Sequence, residues 1–390
     1  MSRSPLGLTN GHSLEDLCAE ARSIRDQGKG RIVSFSPKVF IPLTRLCRDY
    51  CSYCIFRQNP GQAENLYMSP EEVLEVARRG EEAGCREALF VLGERPEQRY
   101  PEARKWLEDH GYESTIDYLR VMCELVLSET DLYPHSNPGT LTRRELEILR
   151  ESNVSMGLML ESTSPRLYQP GGPHEHAPSK HPRARLHTLE LAGQQKIPFT
   201  TGLLVGIGET REERIEALHA IRDLQDRFGH IQEVIIQNFL AKPTTPMESS
   251  SEAGMEEMME TVALARIILG PEMNVQVPPN LSSSYLMYLG AGINDWGGIS
   301  PVTRDYVNPE APWPHIARMK QEMGDLGYQL RARFPVYPEY FIEGEGHGEI
   351  PRVLRKRLRA EADEQGFFDG HDWNSSPVAI ADSEDSRVNF

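Results

Sequence analysis

Short apolar runs alternate along the chain with longer charged segments whose apolar residues recur at helical spacing. VFIPLT (39–44), EALFVLG (87–93), LYPHS (132–136), SMGLMLE (155–161), FTTGLLVGIG (199–208), EVIIQNF (233–239) and NVQVPP (274–279) read as buried strands, with AGIND (291–295) as the last. Helices are predicted between them near 70–84, 113–128, 142–152, 183–196, 210–228 and 253–269. The first of these carries Ser69 as N-cap, Pro70 at the first helical position, then Glu71 and Glu72, and it stops near Gly84. Strands alternating with helices imply βαβ units and a parallel sheet, and about eight such units point to an α/β fold of the TIM-like (β/α) barrel type, complete or nearly so. A doubly wound open sheet is the structural alternative. In a barrel, chemistry belongs at the C-terminal ends of the strands.

The barrel is expected over residues 35–340, after an N-terminal helical extension (1–34) that contributes one helix, 13–27. A C-terminal extension (341–390) ends in a stretch from 366 onward that is rich in Asp, Ser and Gly, has no helical period and reads as a mobile tail. The net charge of −16 repels phosphate backbones and anionic lipid heads, which argues against nucleic-acid and membrane-surface partners. No apolar run suits a secretory signal or a membrane span, so a cytoplasmic protein is expected. Thiols stay reduced there, and cysteines read as ligands, catalytic groups or core residues.

Three of the six cysteines crowd into LTRLCRDYCSYCIFRQ, a C-x3-C-x2-C pattern formed by Cys47, Cys51 and Cys54 directly after a predicted strand. A cubane iron–sulfur cluster needs thiolates converging from one tight loop. Three ligands leave one iron of a [4Fe-4S] cluster without a side chain, and S-adenosylmethionine (SAM) could fill that position through its amino and carboxylate groups. One electron would then split a carbon–sulfur bond and release a 5′-deoxyadenosyl radical. The spacing would also line one helix face, but Arg48, Asp49 and Arg57 interrupt such a face. A structural zinc site would want a fourth ligand, and a ferredoxin would be smaller and carry a fourth nearby cysteine. The spacing, with Tyr53 just before the last cysteine, resembles the radical SAM superfamily signature.

That resemblance gives other strand ends a meaning. Gly93-Glu94 in LGERPE resembles a Gly-Gly-Glu-like motif that holds the methionine amino group, with Leu92 in place of the first glycine. Gly202, Gly206 and Glu209 in GLLVGIGE fit a G-x-I-x-G-x-x-E pattern that approaches adenine and ribose, with Leu204 where Ile is usual. Glu161 closes its strand and is a candidate for the ribose hydroxyls or the sulfonium; a loop salt bridge is the plainer reading.

The order of FIPLTRLCRDYCSYCIFR, LGERPE, HSNPG, GLMLES, GLLVGIGET, IIQNFLAKPTTPM, VPPNL and GINDWGGISPVTRDYVNPEAPWP closely resembles the 7,8-didemethyl-8-hydroxy-5-deazariboflavin synthase (CofG) family over roughly residues 35–340. The resemblance implies a radical SAM carbon–nitrogen lyase of coenzyme F(420) biosynthesis. Its substrate would be the adduct of tyrosine with 5-amino-6-ribitylaminouracil, supplied by a sister radical SAM enzyme (CofH), in a complex with it or by diffusion. Its product would be the deazaflavin FO, formed with loss of ammonia, and its electron donor a ferredoxin or flavodoxin. Asp295 and His135 are candidates for the acid or base of deamination. Ser136, Asn137, Gln237, Asn238, Asn280, Asn294 and Trp296 are candidates for substrate contact. In GGPHEHAPSKHP (171–182), His174, His176 and His181 raise a metal reading, whereas the Pro and Gly content argues for a flexible surface loop that could act as a lid. The sister enzyme, a menaquinone-pathway radical SAM enzyme and a non-catalytic metal scaffold are the rival readings.

Overall fold

The computed structural model describes residues 13–342 and 348–373; of the tail expected to be mobile from 366, residues 366–373 pack onto the barrel, with Phe368 N bonded to Ala332 O (2.9 Å) and Phe368 and Trp373 buried, and the rest lies outside the described residues. Helix α1 (Leu14–Gly28) precedes β1 (Ile32–Thr44), α2 (Pro70–Glu82) and β2 (Glu87–Leu92). Then come α3 (Pro101–Asp109), α4 (Thr115–Glu129), β3 (Tyr133–Asn137), α5 (Arg143–Arg150) and β4 (Ser155–Gly157). They are followed by α6 (Pro182–Gln194), β5 (Phe199–Val205), α7 (Arg211–Phe228), β6 (Ile231–Asn238), α8 (Met255–Leu269), β7 (Val275–Gln276) and β8 (Asp295–Ile299). The chain finishes with α9 (Ile316–Asp325), β9 (Gln329–Ala332), α10 (Pro338–Phe341) and α11 (Arg352–Glu361).

The first eight strands pair in parallel in sequence order, and β1 bonds to both β8 and β2, so the sheet closes into a barrel. That closure excludes the open-sheet alternative. Helices α2, α5 and α7 each open on a reciprocal capping box (Ser69 with Glu72, Thr142 with Glu145, Thr210 with Glu213), which fixes where each helix begins after its strand loop. No helix among the described residues is long and apolar enough to cross a membrane.

β1 is longer than its apolar run because its N-terminal half turns Ser34, Ser36 and Lys38 into a polar barrel interior. Lys38 Nζ stands 3.1 Å from Glu87 Oε1, and the Ser36 hydroxyl donates to the same carboxylate. β9 pairs with Ile32–Phe35 of β1, after which the chain crosses the N-terminal mouth of the barrel. There Arg333 donates to Asp295 (Nε to Oδ2, 2.8 Å) and to Glu233 (2.9 Å), Tyr337 Oη donates to Glu233 (3.0 Å), and Pro335 O accepts from Gln232 Nε2 (3.1 Å). Burying charges is tolerable only when they are paired and hydrogen-bonded, and here each carboxylate faces the guanidinium.

The last barrel strand covers 295–299 rather than 291–295. DWGGI lacks an apolar run because its glycines make room for polar neighbours. A β-carbon at Gly298 would collide with the Lys38 side chain, and one at Gly297, where φ is +66°, with the Gln276 amide. Asp295 therefore begins its strand, at the plugged end.

Candidate active site

At the opposite end of the barrel, where the strands terminate, lies a cavity of about 310 Å³. The loop after β1 brings Cys47, Cys51, Tyr53 and Cys54 to its wall; the loop after β2 brings Gly93 and Glu94, and the segment after β4 brings Glu161, bridged to Leu203 of β5. The cysteine and β2 loops are fused by backbone bonds, Gly93 N to Thr44 O (2.9 Å) and Arg48 N to Glu94 O (2.9 Å). A β-carbon at Gly93 would collide with the Leu46 carbonyl, so only glycine permits this approach. Two backbone N–H groups, of Glu94 (3.2 Å) and Asp49 (3.4 Å), point at Cys47 Sγ.

The Glu94 carboxylate accepts from Thr140 N (3.1 Å) and the Thr140 hydroxyl, with Arg48 3.6 Å away. Glu161 sits in left-handed backbone, φ +65°. Its carboxylate accepts from Tyr53 Oη (2.6 Å), lies 3.1 Å from His174 Nε2 and pairs with Lys180. Burial opposes its charge, but Lys180, His174 and Arg185 outweigh burial and hold the carboxyl well below its usual range. His174 stands out in the sequence only as part of a His-rich loop, and Lys180 and Arg185 do not stand out at all. Their signal was position: the loop after β4 pairs with the cysteine loop, Tyr50 N to His176 O (2.9 Å) and Ser52 N to Pro173 O (2.9 Å), so His174 is buried rather than a surface lid residue.

Five expected site residues stand elsewhere. Asp295 is buried in the plug against Arg333 and Ser34, with the length of β8 between it and the cavity, which corrects its reading as an acid or base. His135 lies within β3 and contacts Ser155 and Asn137; it does not itself line the cavity but stands one hydrogen bond behind Asn137, which does. Gly202, Gly206 and Glu209 do not line the cavity. Gly202 lets β5 pack against the Ile235 carbonyl. Glu209 accepts from Gly206 N and Ile207 N (2.9 Å each) and from Arg214 (3.2 Å), so it clamps its own turn. Asn137, Gln237 and Asn238 do line the cavity. Asn294 is taken up by Arg266 (2.7 Å), Asn280 by Asp305 (3.1 Å), Ser136 by Asn153 (2.7 Å) and Trp296 by Met323 (3.2 Å).

Residues 41–221 match the Radical SAM superfamily. The 7,8-didemethyl-8-hydroxy-5-deazariboflavin synthase of Methanopyrus kandleri is 53% identical over 337 residues, which cover 86% of this chain and 99% of that protein. The chain belongs to that synthase family. It is a radical SAM enzyme. The FO synthase of Streptomyces avermitilis is 47% identical over 95% of this chain, and the chain spans only 45% of that longer protein. Among solved structures, the hydrogenase maturase HydG of Carboxydothermus hydrogenoformans superposes with a TM-score of 0.67 at 22% identity, over 84% of this chain and 74% of that one. Methylornithine synthase superposes at 0.64 and 21%, over 84% and 91%. At that identity the likeness concerns the fold.

The family implies a [4Fe-4S] cluster and SAM, and the donor set fits both. Among the described residues no three His, Cys, Asp or Glu side chains converge on a single ion. Thiolates that converge on one cluster but each bind a different iron stand a cluster's width apart, too far to share a single ion. Burial, with Asp49 adding to it, pushes the Cys47 thiol up to about 12, and burial raises that of Cys51. Iron would displace those protons and offset the burial of the thiolates, while the N–H groups aimed at Cys47 suit a thiolate. Carboxylates at Glu94 and Glu161 suit a cosubstrate that carries an ammonium and a sulfonium.

Proposed function

We propose that this chain converts the tyrosine–ribitylaminouracil adduct, 5-amino-5-(4-hydroxybenzyl)-6-(D-ribitylimino)-5,6-dihydrouracil, to FO with loss of ammonia and of two electrons and two protons, SAM being the two-electron oxidant as it is cleaved to methionine and 5′-deoxyadenosine; the chain acts as a carbon–nitrogen lyase in coenzyme F(420) biosynthesis. The observation that carries the proposal is identity of 53% over nearly the full length of the Methanopyrus kandleri synthase. The cysteines on one cavity wall agree with it.

In this reading Cys47, Cys51 and Cys54 would be the protein ligands of the cluster, with SAM as the remaining ligand. When bound, the cluster and SAM supply a 5′-deoxyadenosyl radical, which removes one hydrogen atom from the substrate. Gly93 keeps the cysteine loop against β2, so that Glu94 faces the methionine ammonium. Tyr53, His174 and Lys180 fix the Glu161 carboxylate toward the ribose or sulfonium. Glu209 and Gly206 act at one remove, by holding the β5 turn in shape. The closed barrel, sealed at its far end by Arg333, keeps water from the radical. Lys180 and Lys242, both on the cavity wall, are candidate proton carriers for the departing amine, whereas Asp295 stands at the far end of the barrel.

Residues 1–34 and 341–390 act in this proposal as extensions of one barrel unit. The adduct comes from a CofH-type enzyme, and the electron from a ferredoxin or flavodoxin. The test is anaerobic: purified adduct, SAM and a reductant should give FO fluorescence with the reconstituted chain, and none with Cys51→Ala. Fluorescence that appears only when tyrosine replaces the adduct would favour the adduct-forming enzyme instead.

A further inference from the structure

The segment between β8 and α9 reaches the cavity, and the proposed reaction has given it no task. Its Val307 and Asn308 line the cavity together with Lys242. Asp305 organises the segment. Its Oδ1 accepts from the backbone N–H groups of Val307 (2.8 Å) and Asn308 (3.0 Å), and its Oδ2 from Asn280 Nδ2 (3.1 Å) and Asn308 Nδ2 (3.0 Å). Trp313 Nε1 donates to Thr303 O (3.0 Å) and ties the two ends of the segment together. The Trp313 ring stacks on Phe40 of β1, with centroids 5.4 Å apart.

These bonds fix which way the Asn308 amide points. A carboxylate only accepts, so the Asn308 atom 3.0 Å from Asp305 Oδ2 is the NH2 group. The Asn280 NH2 that shares this oxygen is itself set by the Ala311 carbonyl (3.1 Å), another pure acceptor. The backbone carbonyl of Asn308 is taken by Ala311 N (3.0 Å). Asn308 is only 4% exposed, yet among the described residues its Oδ1 has no hydrogen-bond partner and is not sealed in. On a cavity-lining residue that leaves a fixed acceptor which only a molecule in the cavity can satisfy. Two residues further on, Glu310 pairs with the buried Lys242 ammonium. An ammonium has three donors, and Glu310 takes one of them.

We infer that Asn308 is a specificity-determining contact, its side-chain carbonyl accepting the ring N–H that stands between the two carbonyls of a pyrimidinedione. The inference rests on the reading of the substrate as a uracil derivative and adds which residue reads that ring. An imide edge sets a donor beside acceptors, and Asn308 offers the acceptor while Lys242, close by, offers a donor. The Lys242 charge disfavours an ammonium at the same spot, so the amine of the adduct lies elsewhere. Because Asp305 holds the amide, its carbonyl cannot turn away from a ligand that lacks the N–H. Such a ligand leaves the acceptor unpaired and is rejected. Asp305 is in this scheme a positioning residue.

The test pairs a change in the ligand with a change in the residue. Free 5-amino-6-ribitylaminouracil, and the same compound methylated at that ring nitrogen, are followed by anaerobic equilibrium dialysis. The parent should bind the methylated ligand roughly tenfold more weakly or worse. Asn308→Ala should weaken the unmethylated ligand by a similar factor and erase the preference, because the acceptor is gone and the shorter side chain admits the methyl group. Asp305→Asn, which loosens the amide while leaving Asn308 in place, should narrow the preference part of the way. Iron content and far-ultraviolet circular dichroism at parental levels serve as the folding control. A parent that binds both ligands equally, or an Asn308→Ala chain that loses both to the same degree and keeps the preference, would overturn the inference. So would a raised KM for the adduct in Asn308→Ala with unchanged dialysis of the ribitylaminouracil, since the contact would then be to the phenol. If the parent makes no FO yet prefers the unmethylated ligand through Asn308, the proposed reaction fails while the contact stands. If it makes FO and shows no preference, the reaction stands and the contact fails.

Discussion

A single methyl group added at Gly93 would strike the Leu46 carbonyl and the Cys47 side chain together. The cysteine loop would have to move, and displacements of about 1 Å near reacting groups cost on the order of a hundredfold in rate. Gly93→Ala should therefore take up less iron on reconstitution and form FO at least roughly a hundredfold more slowly, as iron analysis and fluorescence would read. The same scale governs His135. Burial moves its imidazole from 6.5 down to about 4, with Glu87 pulling upward and Lys38 downward. Between those two values the unfolded chain binds the proton and the folded chain does not, so stability falls as pH drops through that window, by about 3 kcal/mol in all. Urea midpoints of His135→Phe should fall less steeply with pH there than those of the parent. The cysteines were legible at this scale because thiolate spacing is local. His174, Lys180 and Arg185 were not, because their meaning comes from a loop that folds back onto the cysteine loop.

Elements were legible where a strand is apolar along its length and obscure where it is not. β2 and β5 were read from their hydrophobic runs. The first half of β1 and all of β8 beyond Asp295 were missed because Ser34, Ser36, Lys38, Gly297 and Gly298 build a polar, tightly spaced interior, and polar residues at alternate positions look like loop. Misplacing β8 by four residues moved Asp295 from the plugged end to the catalytic end, so the site error followed from the element error. The plug segment predicts its own test. Arg333→Met would leave Asp295 and Glu233 without their cation. Breaking a buried pair from one side costs about 3–5 kcal/mol, so the urea midpoint should fall by that equivalent. Asp295→Asn in the same chain should restore part of it. Equal loss in the single and double variants would deny Arg333 its role as counter-charge.

For the whole molecule, the strands and helices form a core that the cysteine loop overlies rather than builds: the large buried side chains, such as Phe35, Phe90, Tyr118 and Phe199, lie in strands and helices. Removing iron with a chelator should therefore lower Tm, because a ligand that binds only the folded chain stabilises it, while leaving the far-ultraviolet spectrum nearly unchanged. Collapse of helical signal on chelation would mean that the loop is structural throughout. The barrel class followed from the alternation of elements, and the closing of β1 onto both neighbours supplied what alternation could not give, a ring rather than an open sheet.

Arg333 comes late in translation, after every strand of the ring has left the ribosome. Until it emerges, a nascent chain holds the acids of the second, sixth and eighth staves with Lys38 as the cation of the ring's own lining, and the inside of the ring has reason to stay wet. Synthesis that stalls just before the plug should yield a loosened, protease-sensitive intermediate, and a few more codons should convert it to the resistant form.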